Sequence, residues 1–258
     1  MRFASLGSGS SGNALVVESG TTRLMLDCGF SLRETELRLA RAKVQPESIT
    51  AVLVTHEHED HSSGAFLFAR RYRVPVYLTF GTLAQLRQGD PQVDSEAHVR
   101  LVQGERAEAI GDFQVFPYTV PHDAREPVQY VVSNGARRLG MLTDVGCSTP
   151  HIEEVLSGCD ALVLETNHDL ALLANGSYPA RLKARIAGRM GHLDNRSSAA
   201  ILACVNCAKL QHVVAAHLSE VNNTPALARD ALAAALGCDG SWITVATQSA
   251  GFDWRELS

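Results

Sequence analysis

One stretch narrows what this chain can become: "SITAVLVTHEHEDH", from Ser48 to His61. An apolar, β-branched run of this kind reads as a buried strand. It leads straight into His56, His58, Asp60 and His61. Neutral imidazoles and a carboxylate at that density suit zinc or a similar first-row divalent ion. His56 and His58 can converge on one ion from an extended loop, while Asp60 and His61 turn toward a second. The alternative is a hydrated acidic loop, since Glu57, Glu59 and Asp60 are at ease in water. It is disfavoured because an apolar strand leads in and further donors close later apolar runs.

Those donors are Asp27 after "TTRLML", His122 after "FQVFPYTVP", Asp144 after "GMLT", Glu165 after "DALVL" and His217 after "LQHVVAA". In open α/β sheets, functional side chains gather at one set of strand ends. A two-ion site is therefore expected. His122 would complete a three-histidine set with His56 and His58, His217 would join Asp60 and His61, and Asp144 would bridge. Two cations about 3.5–4 Å apart lower the pKa of a shared water and stabilise an in-line displacement. Asp27 is expected to brace the ligand loop rather than bind metal.

The chain reads as a single domain over residues 1–258, strand-rich at first and mixed α/β afterwards. "SSGAFLFARRY", "TPHIEEVLSG" and "PALARDALAAAL" are helical, Asn134-Gly135 predicts a tight hairpin turn, and "WITVAT" is the expected terminal strand. The opening "GSGSSGN" gives Gly7, Gly9 and Gly12 the G-x-G-x-x-G spacing, yet a strand follows where a dinucleotide site needs a helix. A Rossmann turn is thereby excluded. No apolar run of about 18 residues and no signal-peptide core occur. The six cysteines lack a disulfide spacing, so reduced thiols and a cytoplasmic location are expected. Cys204 and Cys207 form a C-x-x-C in an apolar helical stretch and read as core thiols.

The net charge of −5 excludes a grip on long nucleic acid by overall charge, so any such role needs a local basic patch. "YPARLKARIAGRMGH" supplies one, with Arg181, Lys183, Arg185 and Arg189. Arg181 and Arg185 share a helix face, and the planar fork of Arg185 suits phosphate. A hydrated helix face is the equal alternative.

The H-x-H-x-D-H motif, followed by His, Asp and His at strand ends, resembles the metallo-β-lactamase superfamily. That resemblance implies a four-layer αββα sandwich, two mixed β-sheets flanked by helices, holding two divalent metal ions, Zn or Mn. "GSGSSGNALVV", "THEHEDH", "PHDAREPVQYVV", "LTDVG", "ETNHD", "GHLDN" and "AHLSEVNNTP", in this order, resemble the YycJ/WalJ-like group of metal-dependent nucleases. What this implies is phosphodiester hydrolysis, with 5′-to-3′ DNA exonuclease activity in some members, a nucleic acid substrate with DNA favoured, and no membrane. The chain departs from the group at Asp194, where serine is usual, and at Cys147, where an aromatic is expected. Both are expected to adjust the substrate groove.

By similarity to tRNA 3′-processing ribonucleases, Glu165 would hold and charge His192, which donates a proton to the leaving oxygen. The alternative is an ordinary helix-start histidine. Asp60 stands with Glu165 and His192 as a catalytic candidate. His168 and Asp169 are either orienting residues or a polar loop. In this fold "GSGSSGN" borders the metal cleft, where its backbone amides would nest a phosphate and Ser8, Ser10, Ser11 and Asn13 add donors; a plain tight turn is the alternative. Asn222 and Asn223 would orient His217 or a phosphate. Competing functions are a small-molecule phosphodiester or thioester hydrolase and a non-catalytic nucleic-acid-binding module. Modules of the latter kind lose ligands, and none is lost here.

Overall fold

The computed structural model describes residues 1–95 and 97–258. Its strands are β1 (Arg2–Gly7), β2 (Ala14–Ser19), β3 (Thr22–Leu26), β4 (Ala51–Leu53), β5 (Pro75–Thr79), β6 (His98–Val102), β7 (Glu108–Ile110), β8 (Phe113–Thr119), β9 (Val128–Ser133), β10 (Arg138–Leu142), β11 (Ala161–Glu165), β12 (His212–Ala216), β13 (Ile243–Val245) and β14 (Phe252–Glu256). They form two seven-stranded sheets, ordered β14-β1-β2-β3-β4-β5-β6 and β13-β12-β11-β10-β9-β8-β7. Both are mixed. β1, β2 and β3 pair antiparallel and β3 to β6 parallel, while β7 to β10 pair antiparallel and β10 to β13 parallel.

Alternate residues of the central strands serve different layers. Leu24 and Leu26 of β3 join Leu53, Phe113, Tyr130 and Val163 between the sheets. Met25, between them, packs outward with Leu39, Phe66 and Phe68, which belong to α1 (Leu32–Arg41) and to α3 (Ala65–Tyr72), reached past the single turn α2 (Glu59–Ser62). Val163 likewise faces inward, whereas Leu162 and Leu164 pack outward on Ile152, Ile201 and Leu232. α4 (Phe80–Gly89) completes the first outer layer. The second comprises α5 (Pro150–Leu156), α8 (Asn195–Cys204) and α9 (Pro225–Leu236), while α6 (Leu170–Asn175) and α7 (Ala180–Ile186) lie in the connection between β11 and α8. Strands covered on both faces have no polar face to show, hence the unbroken apolar runs. The architecture is a helix–sheet–sheet–helix sandwich. Because Leu53 is fully buried between the sheets, Leu53→Ala is expected to lower stability by about 2–5 kcal/mol, read from the urea midpoint.

The β9–β10 hairpin turns at Asn134-Gly135 as expected: Ser133 pairs with Arg138, and the Asn134 amide donates to Arg137 O at 3.2 Å. The Asn134 side chain accepts hydrogen bonds from the Ala136 and Arg137 amides, which holds the turn. Two expectations need correction. "WITVAT" is not the last strand: β14 follows and crosses to the other sheet to pair with β1. Cys204 ends α8 and is exposed, with Cys207 half-buried, so the pair is not a core feature.

Candidate metal centre

The parallel pairings β3–β4 and β10–β11–β12 send their C-terminal ends the same way. Asp27, His56, Asp144, Glu165 and His217 leave those ends on one side of the molecule. Asp27 (φ 61°), Asp144 (φ 52°) and His217 (φ 54°) all take left-handed backbone. Asp and His tolerate this region better than most residues, though each instance costs about 1–3 kcal/mol. It lets the chain break from its strand while the side chain stays in the site.

Two donor sets result. In the first, His58 Nδ1 lies 3.0 Å from His56 Nε2 and 3.3 Å from His122 Nε2. In the second, Asp60 Oδ2 lies 3.2 Å from His217 Nε2 and 3.3 Å from His61 Nε2. Asp144 stands between them. Its Oδ2 is 2.8 Å from His61 Nε2 and 3.6 Å from His217 Nε2, and its Oδ1 is 3.9 Å from His122 Nε2. That buried Oδ2 has no hydrogen-bond partner despite the short distance to His61. Crowded donor atoms that include an unpartnered buried carboxylate oxygen fit a shared focus outside themselves, as metal ligands have. The donor atoms within His56/His58/His122, within Asp60/His61/His217 and within His56/His61/Asp144 all lie within 4.8 Å of one another, and imidazole with carboxylate suits a divalent first-row ion.

Around these sets stand groups that fix the imidazoles, as outer partners of metal-ligating histidines do. Asp27 Oδ2 lies 2.8 Å from His61 Nδ1, and its Oδ1 accepts from the Thr55 amide (2.8 Å) and hydroxyl (3.0 Å). The Thr55 hydroxyl also meets His56 Nδ1 at 3.0 Å, and the Gly191 carbonyl meets His122 Nδ1 at 3.1 Å. Asp27→Asn, which keeps an αL-tolerant residue, is expected to weaken metal binding at the Asp60/His61/His217 set by about 10- to 100-fold, measured by competition with a chromogenic chelator.

The two sets differ electrostatically. Burial, aided by the charge on His61, pushes His56 well below the ordinary imidazole range, and burial lowers His122. Burial also opposes charge on His61 and His217, but Asp144 with its neighbours prevails. His61 is carried well above its ordinary value and His217 to about 10. For Asp60 burial is likewise overridden, and His61 and His217 hold it far below the usual carboxylate range. Metal entering the second set must displace protons from His61 and His217, whereas burial already disfavours protons on His56 and His122. Affinity at the Asp60/His61/His217 set is therefore expected to fall as pH drops from 8 to 6, about tenfold per unit for each proton displaced. Competition titrations at both pH values check this.

Beside the two sets, Glu165 Oε1 lies 2.7 Å from His192 Nδ1 and 3.4 Å from His217 Nδ1. Glu165 Oε2 accepts from the Val145 and Leu193 amides. Burial works against its charge, yet chiefly His192 holds the carboxyl at about 2. Glu165 in turn lifts His192 above the ordinary imidazole value against the effect of burial. The structure thus brings Glu165 and His192 together beside the donor sets. The His192 ring stacks on His217, with centroids 5.4 Å apart.

The loop of residues 8–13 is not an amide nest. The Ser8 amide donates to Thr247 O, Gly12 to Gly9 O and Asn13 to Asp60 O, while Gly9 donates to Asn13 Oδ1 and Ser11 to Gln248 Oε1. With these amides engaged internally, Ser10 and Ser11 are exposed but Asn13 is buried and ties the loop to Asp60. Ser8 braces too, its hydroxyl accepting from the His217 amide. Asn222 and Asn223 are also buried. Asn223 donates to Thr166 O and exchanges amide bonds with Asn195, and Asn222 donates to Ser219 Oγ. The side-chain amides of Asn13 and Asn223 are thus engaged within the protein, whereas Asn222 has one contact of 3.5 Å and a buried Oδ1 without a hydrogen-bond partner. Asp169 and Asp194 are the N-caps of α6 and α8, so Asp194 serves its helix rather than the groove. His168 is buried. Arg185 is exposed and meets Asp123. Sequence reasoning passed over Thr55, Asn167, which donates to His217 O, and Gln248, whose link to the glycine loop spans 237 residues. A threonine directly preceding the first histidine was the one available signal.

Comparison with known proteins agrees with this picture. The model of the beta-lactamase superfamily domain matches residues 22–218. The chain is 35% identical over 229 residues to exodeoxyribonuclease YycJ of Bacillus anthracis, covering 89% of this chain and 86% of that one. It is 31% identical to exodeoxyribonuclease WalJ of Streptococcus pneumoniae (strain D39), covering 88% and 85%. The metallo-beta-lactamase fold protein YhfI of Bacillus subtilis superposes with a TM-score of 0.74 at 15% identity over 99% of each chain, a likeness of fold alone. With the family model spanning most of the chain and two such relatives matching nearly end to end, this protein belongs to the beta-lactamase superfamily, within its YycJ/WalJ group.

Proposed function

We propose that this protein is a metal-dependent exodeoxyribonuclease that works from the 5′ end of DNA, acting in the cytoplasm as one domain over residues 1–258. His56, His58 and His122 would hold one divalent ion and Asp60, His61 and His217 a second, with Asp144 shared between them. The observation that carries this is Asp144 Oδ2, buried and without a hydrogen bond among imidazoles that face it. When bound, zinc or manganese there supplies Lewis-acid charge and makes water more acidic.

The chain's own residues do the rest. Asp27 and Thr55 fix the imidazoles of His61 and His56. Glu165 orients His192 and favours its protonated form, which makes His192 Nε2 the donor to the departing 3′-oxygen. Arg185, with the Ser10 and Ser11 hydroxyls at the rim, faces the phosphate backbone. A small phosphodiester is the second reading, favoured by the net charge of −5, which leaves little general attraction for a polyanion.

The deciding experiment supplies manganese or zinc with 5′- and 3′-end-labelled DNA and RNA, beside bis(p-nitrophenyl) phosphate. Release of labelled mononucleotide from 5′-labelled DNA is expected. Turnover of the chromogenic ester with intact DNA and RNA would sink the nuclease reading and favour the second.

A further inference from the structure

The segment after α7 is pinned across the three-histidine set. The Asp123 amide donates to Met190 O at 2.9 Å, and His122 Nδ1 meets Gly191 O at 3.1 Å. Gly146 packs so closely that a Cβ there would fall 2.3 Å from the Arg189 carbonyl. The pin sets the Asp123 carboxylate between two partners. Its Oδ2 lies 2.6 Å from Arg185 Nε. Its Oδ1 lies 3.5 Å from His122 Nε2 and 3.9 Å from His58 Nε2. Among the described residues, Arg185 makes the one hydrogen bond to this carboxylate. Lys183, by contrast, is turned away and donates to Ala174 O.

A carboxylate shared between an arginine and a cluster of imidazoles offers two oxygens and one negative charge, the pattern a phosphodiester presents to the same partners. We propose that Asp123 is a displaceable gate: in the resting protein it holds the place between Arg185 and the three-histidine set, and an incoming phosphodiester takes that place and the Arg185 guanidinium with it. This deepens the nuclease reading and rests on the metal role of His56, His58 and His122. The gate selects for charge, because a neutral ester or thioester brings nothing that competes with Asp123 for Arg185.

The test uses zinc-loaded full-length protein, with metal content measured first and inorganic phosphate as the probe in calorimetric titration. Asp123→Asn is expected to bind phosphate about tenfold more tightly, the scale of one charge-assisted hydrogen bond released for use, with its metal content unchanged. Arg185→Gln should weaken phosphate binding and abolish the gain in the double variant. Glu59→Gln, the same charge change on an exposed residue between His58 and Asp60, should shift it less than about twofold. Unchanged phosphate affinity in Asp123→Asn, a gain that survives Arg185→Gln, or loss of a metal equivalent would each overturn the gate. Wild-type protein that takes up no metal overturns the nuclease reading first and the gate with it, whereas normal loading with unaltered phosphate affinity removes the gate alone.

Discussion

Asp60→Ala is expected to reduce DNA degradation by about 10³-fold or more, while the protein stays folded and loses one equivalent of metal. Lewis-acid stabilisation is worth several kcal/mol, and each 1.4 kcal/mol is about tenfold in rate. The residue suits the test because it lies in the turn of α2, where alanine is well tolerated. Its Oδ2 is the atom facing both His61 and His217, so the substitution dismantles one donor set and leaves His56, His58 and His122 intact. Metal content by plasma emission, far-UV dichroism and turnover should be read on the same sample. Undiminished turnover in a variant with one ion fewer would count decisively against the two-ion mechanism.

His192→Ala should split substrates by leaving group. A nucleoside 3′-oxygen departs poorly without a proton, and general acid catalysis contributes about 10²–10⁴-fold, so DNA cleavage should fall by that amount. p-Nitrophenolate departs unprotonated, and bis(p-nitrophenyl) phosphate hydrolysis should change only a few-fold. The pH profile adds a second reading. Against the effect of burial, Glu165 raises the pKa of His192, so its protonated form is favoured and is lost as pH rises through that raised value. Wild-type DNA cleavage should decline on the alkaline side, and the decline should disappear in the variant. Equal losses on both substrates would return His192 to a packing role beside His217.

How much of this was legible in the chain varied with distance along it. His56, His58, Asp60 and His61 are close neighbours after an apolar run, so local chemistry sufficed to group them. His122, Asp144 and His217 could be linked to them only through the rule that strand ends collect function, and the parallel registers satisfy that rule. The glycine loop misled because its amides looked free. They are engaged partly by Asn13 and partly by Gln248, which arrives from the far end of the chain, and no local pattern reveals such a partner. The engagement of Asn223 by Asn195 and Thr166 was equally invisible in the chain. α1 was overlooked because its charged sequence "LRETELRLAR" buries only Thr35 and Leu39, too faint a stripe to register beside the strands. β14 was missed for want of an apolar run: in "FDWRE" only Phe252 is buried.

The left-handed backbone at Asp27, Asp144 and His217 bears on how replacements there are to be interpreted. Alanine at any of the three removes a functional group and also installs a side chain less suited to that handedness, so the measured defect merges two losses. Asparagine preserves the conformational tolerance while deleting the charge, and glycine relieves the backbone outright. Comparing the three substitutions at one position would divide chemical from conformational loss, a division unnecessary at Asp60, whose helical turn favours no special residue.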